Sequence, residues 1–483
     1  MEGCENRPGG SGVEELRGRL YGWVQGTDLP LAGVYLVGGS VRDAVLKRPC
    51  ADLDICLRGA EAFAKKLARG RDAAFVPMEK DPSAPCYRLV SRKDPEDYVD
   101  VAEMRGEDIF ADLARRDFAI NAMAVSALAP ETSPGAEIVD PYNGRADLAA
   151  GVIRHVSEQN LFDDPLRVLR GFRLAAILEF RISPDTLEAF SRAVSGLDRT
   201  SGERIGREFL LLLAARRAHA VLGQMDACGA MSVLLPELDP LRGLTQNLYH
   251  HLDAFAHTLE SVQHAEEIVN EPGEFFPECA EEVRSYLEGT NRPALIKLAL
   301  LLHDVGKART RGTNPRTGLP TFHGHEAVSA QMTRYAAARL RLSNRDRDYI
   351  SKIVDQHLRP LFLTADQTGE KRRIAWMRKM EDDCAGVIIA SMADNLSKAP
   401  SVEECRPAAL SSWLCEYYKV LRPRFREIPL LTGRDLLDLG ASPGPDLGRI
   451  LSEVKRAQDA GELSSREAAK ALARKLLHEC KLD

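Results

Sequence analysis

The sequence has little of what would place a chain in or across a membrane. Its most apolar stretch, LIKLALLLHDVGK, is interrupted by Lys297 and by a His-Asp pair. A spanning helix needs about 20 consecutive apolar residues, so this stretch excludes a membrane span. The N-terminal stretch MEGCENRPGGSGVEELRGRL lacks an apolar segment and carries acidic side chains, which argues against a secretory signal. We therefore expect a cytoplasmic protein.

The sequence also lacks paired cysteines and a Walker-type phosphate loop. Its ten cysteines are scattered without a CxxC pair, which excludes a zinc ribbon and favours reduced thiols over a disulfide framework. No GxxxxGK[ST] segment occurs, so the chain is not a P-loop ATPase. The net charge of −6 argues against a general nucleic-acid coat protein but permits a local basic groove.

With 483 residues the chain is too long for one hydrophobic core and should divide into about three domains. Short β-like runs alternate with one helix, GAEAFAKKLARG, over 34–125, whereas a helical apolar spacing begins at about 157. We predict a mixed α/β head followed by a mostly α-helical remainder. The predicted segments are a partly disordered N-terminal extension (1–30), the head (31–130), a helical neck (131–240), a histidine-rich domain (241–425) and a helical tail (426–483).

The segment VYLVGGSVRDAVLKRPCADLDI combines a glycine turn with two aspartates. Residues i and i+2 of a strand share a face, so Asp52 and Asp54 should present both carboxylates together. Asp100, in YVDVAEM, supplies a third acid on a neighbouring strand. Such oxygen-rich sites suit Mg²⁺, and the glycine turn with Arg42 could hold a phosphate. A bare DxD is more often a solvated strand edge, but this context predicts metal-dependent nucleotidyl transfer.

Three motifs in order then identify a family resemblance: LVGGSVRD with DLD, RRDFAINAMA and DDPLRVLRGFRLAA. Together they resemble the class II tRNA nucleotidyltransferases and bacterial poly(A) polymerases, which belong to the polymerase-β nucleotidyltransferase superfamily. The resemblance covers about 30–235. It implies a polymerase-β-like head that adds nucleotides from CTP or ATP to the 3′ end of tRNA without a nucleic-acid template. A poly(A) polymerase is the alternative within the family.

The resemblance also assigns roles to residues of this sequence. It implies that Asp52 and Asp54 bind the catalytic Mg²⁺, and Asp100 is the candidate third acid. The implied nucleotide-binding residues of the turn and of the arginine-aspartate motif are Gly38, Gly39, Ser40, Arg42, Asp43, Arg115, Arg116, Asp117 and Asn121.

A protein template for the incoming base is implied on the following helix. Asp164 and Arg167 match the family's acidic residue and arginine, and Arg170 and Arg173 follow at helical spacing. A carboxylate accepts from the exocyclic amine of C or A, and an arginine donates to ring acceptors. An exposed stripe of paired arginines is the structural alternative. Where the family usually has Glu-Asp, this chain has Asp163 followed by Asp164.

The interval between Arg105 and Arg115 departs from the family pattern. Relatives that add the final A generally carry a long flexible segment here, whereas this chain has only the nine residues GEDIFADLA. The resemblance implies that enzymes without the segment add two cytidines and leave A to a partner enzyme. We therefore favour a CC-adding enzyme, with a complete CCA-adding enzyme as the alternative.

The histidine-rich domain resembles the HD phosphohydrolase superfamily. Its H…HD…D order is His257, His303, Asp304 and Asp394, and His325 and His357 could serve a second ion. The resemblance implies a divalent metal of unknown identity and hydrolysis of phosphate esters such as 2′,3′-cyclic phosphates, or else an inactive scaffold. A competing class of function is a metal phosphohydrolase whose head only senses nucleotides.

The tail contains the turn PGP followed by an amphipathic helix with basic side chains on one side. It resembles the C-terminal tRNA-contacting segments of the family. A solvated helix packed on the HD domain is an equally good interpretation of the same pattern.

Overall fold

The computed structural model describes residues 12–50, 52–78, 85–128, 138–246, 252–365, 369–398 and 407–479. The chain divides into two compact units. The first contains Met1–Ser201 and Ala227–Val233, and the second contains Gly202–Asp226 and Leu234–Asp483. The predicted neck is thereby shared between the two units.

The first unit is built on a seven-stranded mixed sheet in the order β3-β4-β5-β2-β1-β6-β7. Only β2 and β5 are parallel neighbours; the other adjacent strands are antiparallel. This confirms the predicted mixed α/β head. The strands are β1 (Tyr35–Val37), β2 (Asp54–Leu57), β3 (Ala73–Met78), β4 (Cys86–Ser91), β5 (Tyr98–Glu103), β6 (Ala124–Ser126) and β7 (Ile138–Val139).

Helices flank this sheet and continue beyond it to the end of the first segment. They are α1 (Gly12–Val24), α2 (Gly39–Val45), α3 (Ala60–Arg71), α4 (Ile109–Leu113), α5 (Gly144–Ala150), α6 (Glu158–Asp163), α7 (Leu166–Leu178) and α8 (Pro184–Ala193), with 3₁₀ turns at Ala119–Asn121 and Val194–Arg199. Two short parallel strands, β8 (Val152–Ile153) and β9 (Arg181–Ile182), lie among the last of them.

The sequence explains the limits of α3, the helix predicted from GAEAFAKKLARG. Gly59 precedes it with φ 76°, and Asp72 ends it with φ 50°. Phe63 and Leu67 recur at helical spacing and are buried against the sheet. Because Gly59 and Asp72 have a left-handed backbone conformation, the helix begins after the first and ends before the second.

The N-terminal extension is helical where the structure describes it. Residues 1–11, most of the stretch predicted to be disordered, lie outside the described residues. Gly12–Val24 forms α1, which buries Leu16, Leu20 and Trp23. Apolar residues at three- and four-residue spacing explain this packing.

The second unit is almost entirely helical, with one short hairpin. Its helices, with two that cross between the units, are α9 (Gly202–Ala214), α10 (His219–Ala227), α11 (Ala230–Leu234), α12 (Ala254–Asn270), α13 (Pro272–Phe275), α14 (Ala280–Leu287), α15 (Arg292–Leu302), α16 (Lys307–Thr310), α17 (His325–Arg339), α18 (Asn344–Gln356), α19 (Arg359–Ala365), α20 (Glu370–Met380), α21 (Cys384–Leu396), α22 (Pro407–Glu416), α23 (Arg422–Arg426), α24 (Gly433–Asp438), α25 (Pro445–Asp459) and α26 (Arg466–Glu479). The hairpin is β10 (Gly312–Thr313) with β11 (Pro320–Thr321), 3₁₀ turns lie at Pro236–Leu241 and Glu381–Asp383, and a π-helical turn lies at Tyr417–Leu421.

The core of the second unit is formed by α12, α15, α18 and α21. Helix α15 is buried along its length, including Lys297, whose Nζ lies 2.9 Å from Glu266 and donates to the carbonyl of Ala215 at 2.7 Å. The buried charge is thus paired and hydrogen-bonded, as burial requires. Within the described ranges, no helix is long and apolar enough to cross a membrane.

One prediction about the cysteines is wrong. Cys279 and Cys415 form a disulfide, with their Cα atoms 5.1 Å apart. They are separated by 136 residues, so only the packing of α14 near α22 brings them together. Cys50, Cys56 and Cys384 are thiols, as predicted.

Candidate active site and metal centre

The glycine turn brings backbone close to the acids of the head. Gly38 has φ 72°, and a Cβ on it would lie 3.1 Å from Nη1 of Arg116 and 3.7 Å from Oδ2 of Asp54. Helix α2 begins at Gly39, and the Ser40 hydroxyl donates to the carbonyl of Val37 at 2.8 Å. Only glycine fits both the conformation and the space at position 38.

Arg42 lies in this turn, but its guanidinium is already engaged. Its Nε and Nη2 donate to Asp43 at 2.9 Å each, and its Nη1 donates to Oδ1 of Asn121 at 2.9 Å. The structure therefore joins Arg42, Asp43 and Asn121 into one network beside the turn. This network connects the first motif with the arginine-aspartate motif.

The three predicted acids converge at the edge where β2 and β5 meet. Strand β2 begins at Asp54, which is in parallel register with Asp100, and Asp52 precedes the strand. Burial, together with the charges of Asp100 and Asp52, raises the pKa of Asp54 to about 6. A divalent cation would relieve this repulsion, so the donor set fits the Mg²⁺ implied by the resemblance.

Two side chains that the sequence did not reveal hold the outer acids. Arg88 donates to both carboxylate oxygens of Asp100, at 2.8 and 2.7 Å, and its guanidinium carbon lies 4.2 Å from the centre of the Tyr98 ring. The Tyr98 hydroxyl donates to Asp52. Arg88 faces Asp100 across β4 and β5, and only this strand pairing could have indicated the contact.

The arginine-aspartate motif is organised around buried carboxylates. Arg116 donates to Oδ2 of Asp112 at 3.0 and 2.9 Å. Asp117 accepts from the backbone of Phe118 at 2.8 Å and from the Asn121 amide at 3.2 Å. Among the described residues, the exposed Arg115 makes no ion pair, so the structure does not bring it into this network.

The helix predicted to read the base begins later than the motif suggests. The sequence predicts that DDP caps it, but Asp163 ends α6, Asp164 lies between the helices and α7 begins at Leu166 after Pro165, which makes no side-chain cap. The residues before Asp164 belong to α6, and the backbone hydrogen bonds of that helix include Asp163. Helix α7 therefore begins later than the motif suggests.

Asp117 connects the arginine-aspartate motif with α7. Its Oδ2 lies 3.0 Å from Nη2 of Arg170, and this arginine and Arg167 outweigh burial and lower the pKa of Asp117. Nη1 of Arg167 is buried without a hydrogen-bond partner among the described residues, and burial lowers the pKa of Arg167. Arg173 lies one turn further along α7. Because a buried unpaired donor is costly, Arg167 is the side chain on α7 most in need of a ligand.

A second cluster lies in the core of the second unit, where the four predicted histidines and two aspartates meet. His257 Nε2 is 3.0 Å from Asp394, His303 Nε2 is 3.1 Å from Asp304, and His325 Nε2 is 3.1 Å from Asp304. His357 packs its ring 5.1 Å from that of His303. The ligand atoms of His257, His303 and Asp394 lie within 4.8 Å of one another, as do those of His303, Asp304 and His357.

The tautomers of this cluster are set by the backbone. Nδ1 of His303, His325 and His357 lies 2.7 to 2.8 Å from the carbonyls of Leu300, Phe322 and Val354, respectively. Each Nδ1 therefore carries a proton, and Nε2 is the nitrogen that faces the centre and can bind a metal once it is deprotonated. This is the arrangement that metal-binding histidines require.

The centre also contains buried polar atoms that its own side chains do not satisfy. Within the described part of the chain, Nε2 of His303 and His325 and Oδ2 of Asp304 and Asp394 make no well-aligned hydrogen bond, although each is in contact with an oppositely charged group. Burial disfavours charge on His303, but Asp304 and Asp394 raise its pKa to about 10, whereas burial and His303 lower the pKa of His357 to about 3. These donors fit a divalent metal, which would complete their coordination.

Two lysines form ion pairs with the two aspartates of the HD centre. Nζ of Lys307 lies 2.6 Å from Oδ2 of Asp304, and Nζ of Lys398 lies 3.3 Å from Oδ2 of Asp394. Lys307 belongs to the HDVGK segment, whereas the contact of Lys398 was not predicted. Its position one helical turn after Asp394 was the signal that could have indicated the contact.

Comparisons with known proteins match the stretches of the chain that contain these two clusters. Residues 34–154 match the model of the poly A polymerase head domain, 179–242 that of the probable RNA and SrmB-binding site of polymerase A, and 254–399 that of the HD domain. The A-adding tRNA nucleotidyltransferase of Deinococcus radiodurans is 30% identical over 92% of this chain and 96% of its own length. The CC-adding tRNA nucleotidyltransferase of Thermus thermophilus is 32% identical over 90% of this chain and 92% of its own length.

The fold is shared with solved structures of similar proteins. The Thermotoga maritima CCA-adding enzyme complexed with tRNA-CCA aligns over 98% of this chain and 97% of its own, with a TM-score of 0.64 at 20% identity. A CCA-adding enzyme complexed with CTP aligns over 95% and 94%, with a TM-score of 0.63 at 21% identity. On the strength of the two full-length relatives, the chain belongs to the tRNA nucleotidyltransferase and poly(A) polymerase family, and it carries an HD domain.

Proposed function

We propose that this protein adds CMP to the 3′ end of tRNA and stops after the second cytidine. CC-adding and A-adding enzymes both occur among its relatives at similar identity, so the choice between them rests on this chain's own structure. A companion enzyme would then add A. We infer a cytoplasmic location, where tRNA and nucleoside triphosphates are present.

The supporting observation is the rigid connection between Arg105 and Arg116. Oδ1 of Asp112 accepts from the backbone of Arg105 at 3.0 Å, and its Oδ2 accepts from Arg116. Between these anchors α4 buries Ile109 and Leu113. One buried carboxylate thus ties both ends of a nine-residue connection, so the segment cannot swing and reorient the base-reading helix for ATP.

The head residues have distinct proposed roles. Asp52 and Asp54, with Asp100 as the third acid, would hold Mg²⁺, which when bound neutralises the triphosphate and activates the attacking hydroxyl. Gly38, Gly39 and Ser40 expose backbone to the phosphates. The network of Arg42, Asp43 and Asn121 and the pair of Arg116 with Asp112 keep this turn in place.

Base selection is assigned to Asp164 and Arg167. The buried unpaired nitrogen of Arg167 would donate to the ring acceptors of cytosine, and the carboxylate of Asp164 would accept from its amino group. Arg170 positions Asp117. A pocket that cannot open would then favour the smaller pyrimidine.

A second candidate function is hydrolysis of phosphate esters at the HD centre. It is favoured by the unsatisfied buried atoms of His303, Asp304, His325 and Asp394. His257 and His357 would complete the ligand set. A bound divalent ion would supply Lewis-acid activation of a phosphate oxygen, while Lys307 and Lys398 balance the charge of the aspartates.

The test of nucleotide addition uses a tRNA that ends at the discriminator base. We expect extension by two residues with CTP alone, and the same product with CTP and ATP together, resolved on a sequencing gel. Addition of A by this protein alone would overturn the CC assignment, and processive addition of A would instead indicate a poly(A) polymerase. No addition of any nucleotide would overturn the proposed activity.

A further inference from the structure

A basic concavity of the second unit lies beside the HD centre. It encloses 890 Å³ between the ends of α17 and α18, helices α19 and α20, and the tail helix α25. Its basic side chains outnumber the acidic Glu326 and Asp355 and are Arg359, Arg372, Arg378, Lys379, Lys455 and Arg456. Such an excess of positive charge favours a polyanion.

Part of this charge is neutralised within the protein, and part is not. Asp459 is buried and lies 2.6 Å from Arg378 and 3.0 Å from Lys455. Neither Arg359 nor Lys379 has an ion-pair partner within the described residues, and both are exposed. These two side chains are therefore available to phosphate groups.

The groove also presents aromatic surface. Phe362 is 61% exposed, although it belongs to α19, which packs on the core. Trp376 also lines the groove but is only 7% exposed, and its indole Nε1 donates to Oε1 of Gln356 at 3.0 Å. Exposed aromatic rings among cations are how proteins hold single-stranded nucleic acids, because bases stack on the ring while the cations follow the backbone.

The lining of the groove includes residues that are neighbours of two histidines of the HD centre. Of the cluster's histidines, His325 retains 8% exposure of its side chain, whereas His257 and His303 retain 0% and 1%. The groove residue Glu326 places Oε2 3.6 Å from Nδ1 of His325. Gln356 and Leu358, which flank His357, also line the groove.

We propose that this groove binds the single-stranded end of an RNA and delivers its terminal phosphate ester to the HD centre. The proposal rests on the phosphohydrolase function proposed above and specifies its substrate as an RNA end, not a free nucleotide. With a 2′,3′-cyclic phosphate, water adds its oxygen to phosphorus and one ring P–O bond breaks. The released ribose oxygen takes a proton, and the product is a phosphomonoester.

The decisive comparison uses two substrates and the full-length protein with its bound metal. One is a short single-stranded RNA ending in a 2′,3′-cyclic phosphate, and the other is 2′,3′-cyclic CMP. The variant Arg359→Ala with Lys379→Ala should raise KM for the RNA about tenfold, because two phosphate contacts are lost, and leave hydrolysis of cyclic CMP unchanged. Arg334→Ala with Arg345→Ala removes two exposed arginines of α17 and α18 outside the groove and should change neither.

The salt dependence provides a second readout. Loss of two phosphate contacts should make the slope of log affinity against log salt for this RNA shallower by about 1.4. Equal effects of the groove variant on both substrates, or none on the RNA, would overturn the proposal.

A crosslinking measurement separates the two proposals. If the unmodified protein hydrolyses neither substrate, the phosphohydrolase function is wrong, but an RNA carrying 4-thiouridine near its 3′ end still reports on the groove. Crosslinks at Phe362 or Trp376 that disappear in Arg359→Ala with Lys379→Ala would support RNA binding there without catalysis. Crosslinks confined to other regions would overturn the groove as an RNA site.

Discussion

At the scale of single residues, the head site is electrostatically unfavourable without a cation. The unfavourable electrostatic energy arises mainly at Asp54, because its carboxylate is buried beside two other acids and its pKa is raised to about 6. Arg88 and Tyr98 relieve the outer acids but not Asp54. Function and stability therefore conflict at this position.

We expect Asp54→Asn to abolish CMP addition and to stabilise the metal-free protein. The folded pKa is above the unfolded value of 3.8, so the folded state binds more protons between about pH 4 and pH 6, and wild-type stability falls as pH rises through that window. At pH 7 the gain should be about 1–3 kcal/mol. Urea unfolding in EDTA would measure it, with the exposed Asp28→Asn as control. An unchanged or lower stability at pH 7 would show that Asp54 is not strained.

Base choice provides a second test at this scale. Arg167→Ala or Asp164→Ala should lower the preference for CTP over UTP by about 1–3 kcal/mol, since a base-reading pair is lost. Competition between the two triphosphates in single-nucleotide addition measures this preference. The control, Arg181→Ala, removes an exposed arginine on β9. Wild-type CTP-to-UTP ratios in both template variants would refute the assignment.

Sequence patterns indicated the proposed ligands of both sites but not the residues that contact them. Asp52, Asp54, His303 and Asp304 lie in local motifs whose chemistry can be read directly. Arg88, by contrast, gains its role only from the pairing of β4 with β5. Contacts set by tertiary packing leave no local signature, which is also why the Cys279–Cys415 disulfide was not foreseen.

At the scale of elements, we propose that α4 determines whether the base-reading helix can reorient. Amphipathic periodicity predicted α3 and the helical second half correctly, because burial of one face dominates there. Strand β3 was missed, since AAFVPM contains a proline and lacks alternation, and its pairing with β4 decides its conformation. The nine-residue connection was noted from its length, but its rigidity depends on Asp112.

Replacing residues 106–114 with a longer flexible segment from a CCA-adding relative should confer some terminal A addition. The expected cause is release of the Asp112 contacts that fix both ends of the connection. Incorporation of A into tRNA ending in CC provides the measurement. An insertion of equal length after Gly318, in the exposed hairpin turn, is the control and should add no A. If the graft keeps CC addition but gains no A, the connection is not what limits ATP use.

At the scale of the whole molecule, the chain contains two chemically separate centres. The acids of the head belong to the first unit and the HD cluster to the second. The two clusters share no residue. Each centre should therefore be removable without loss of the other.

The variant His303→Ala with Asp304→Ala should lose bound divalent metal and any 2′,3′-cyclic phosphodiesterase activity, yet retain CMP addition. His303 belongs to both candidate triads of the HD centre and Asp304 to one of them, so the two substitutions disrupt both triads. Metal analysis of the purified protein and a CMP-addition assay would be run in parallel. His264→Ala with Asp348→Ala, which replaces a partly exposed histidine and an exposed aspartate outside the cluster, is the control. Unchanged metal content would favour a scaffold role for the HD domain.

The central claim is that the base-reading residues of this protein continue to select cytosine after CC has been added. The most direct test is whether the protein adds A from ATP to a tRNA that already ends in CC. A tRNA ending in a single C serves as the positive control with CTP. We expect rapid addition of one C to the control and no addition of A to the CC-ended tRNA in single-turnover reactions at saturating enzyme. Efficient addition of A to the CC-ended tRNA would contradict the claim.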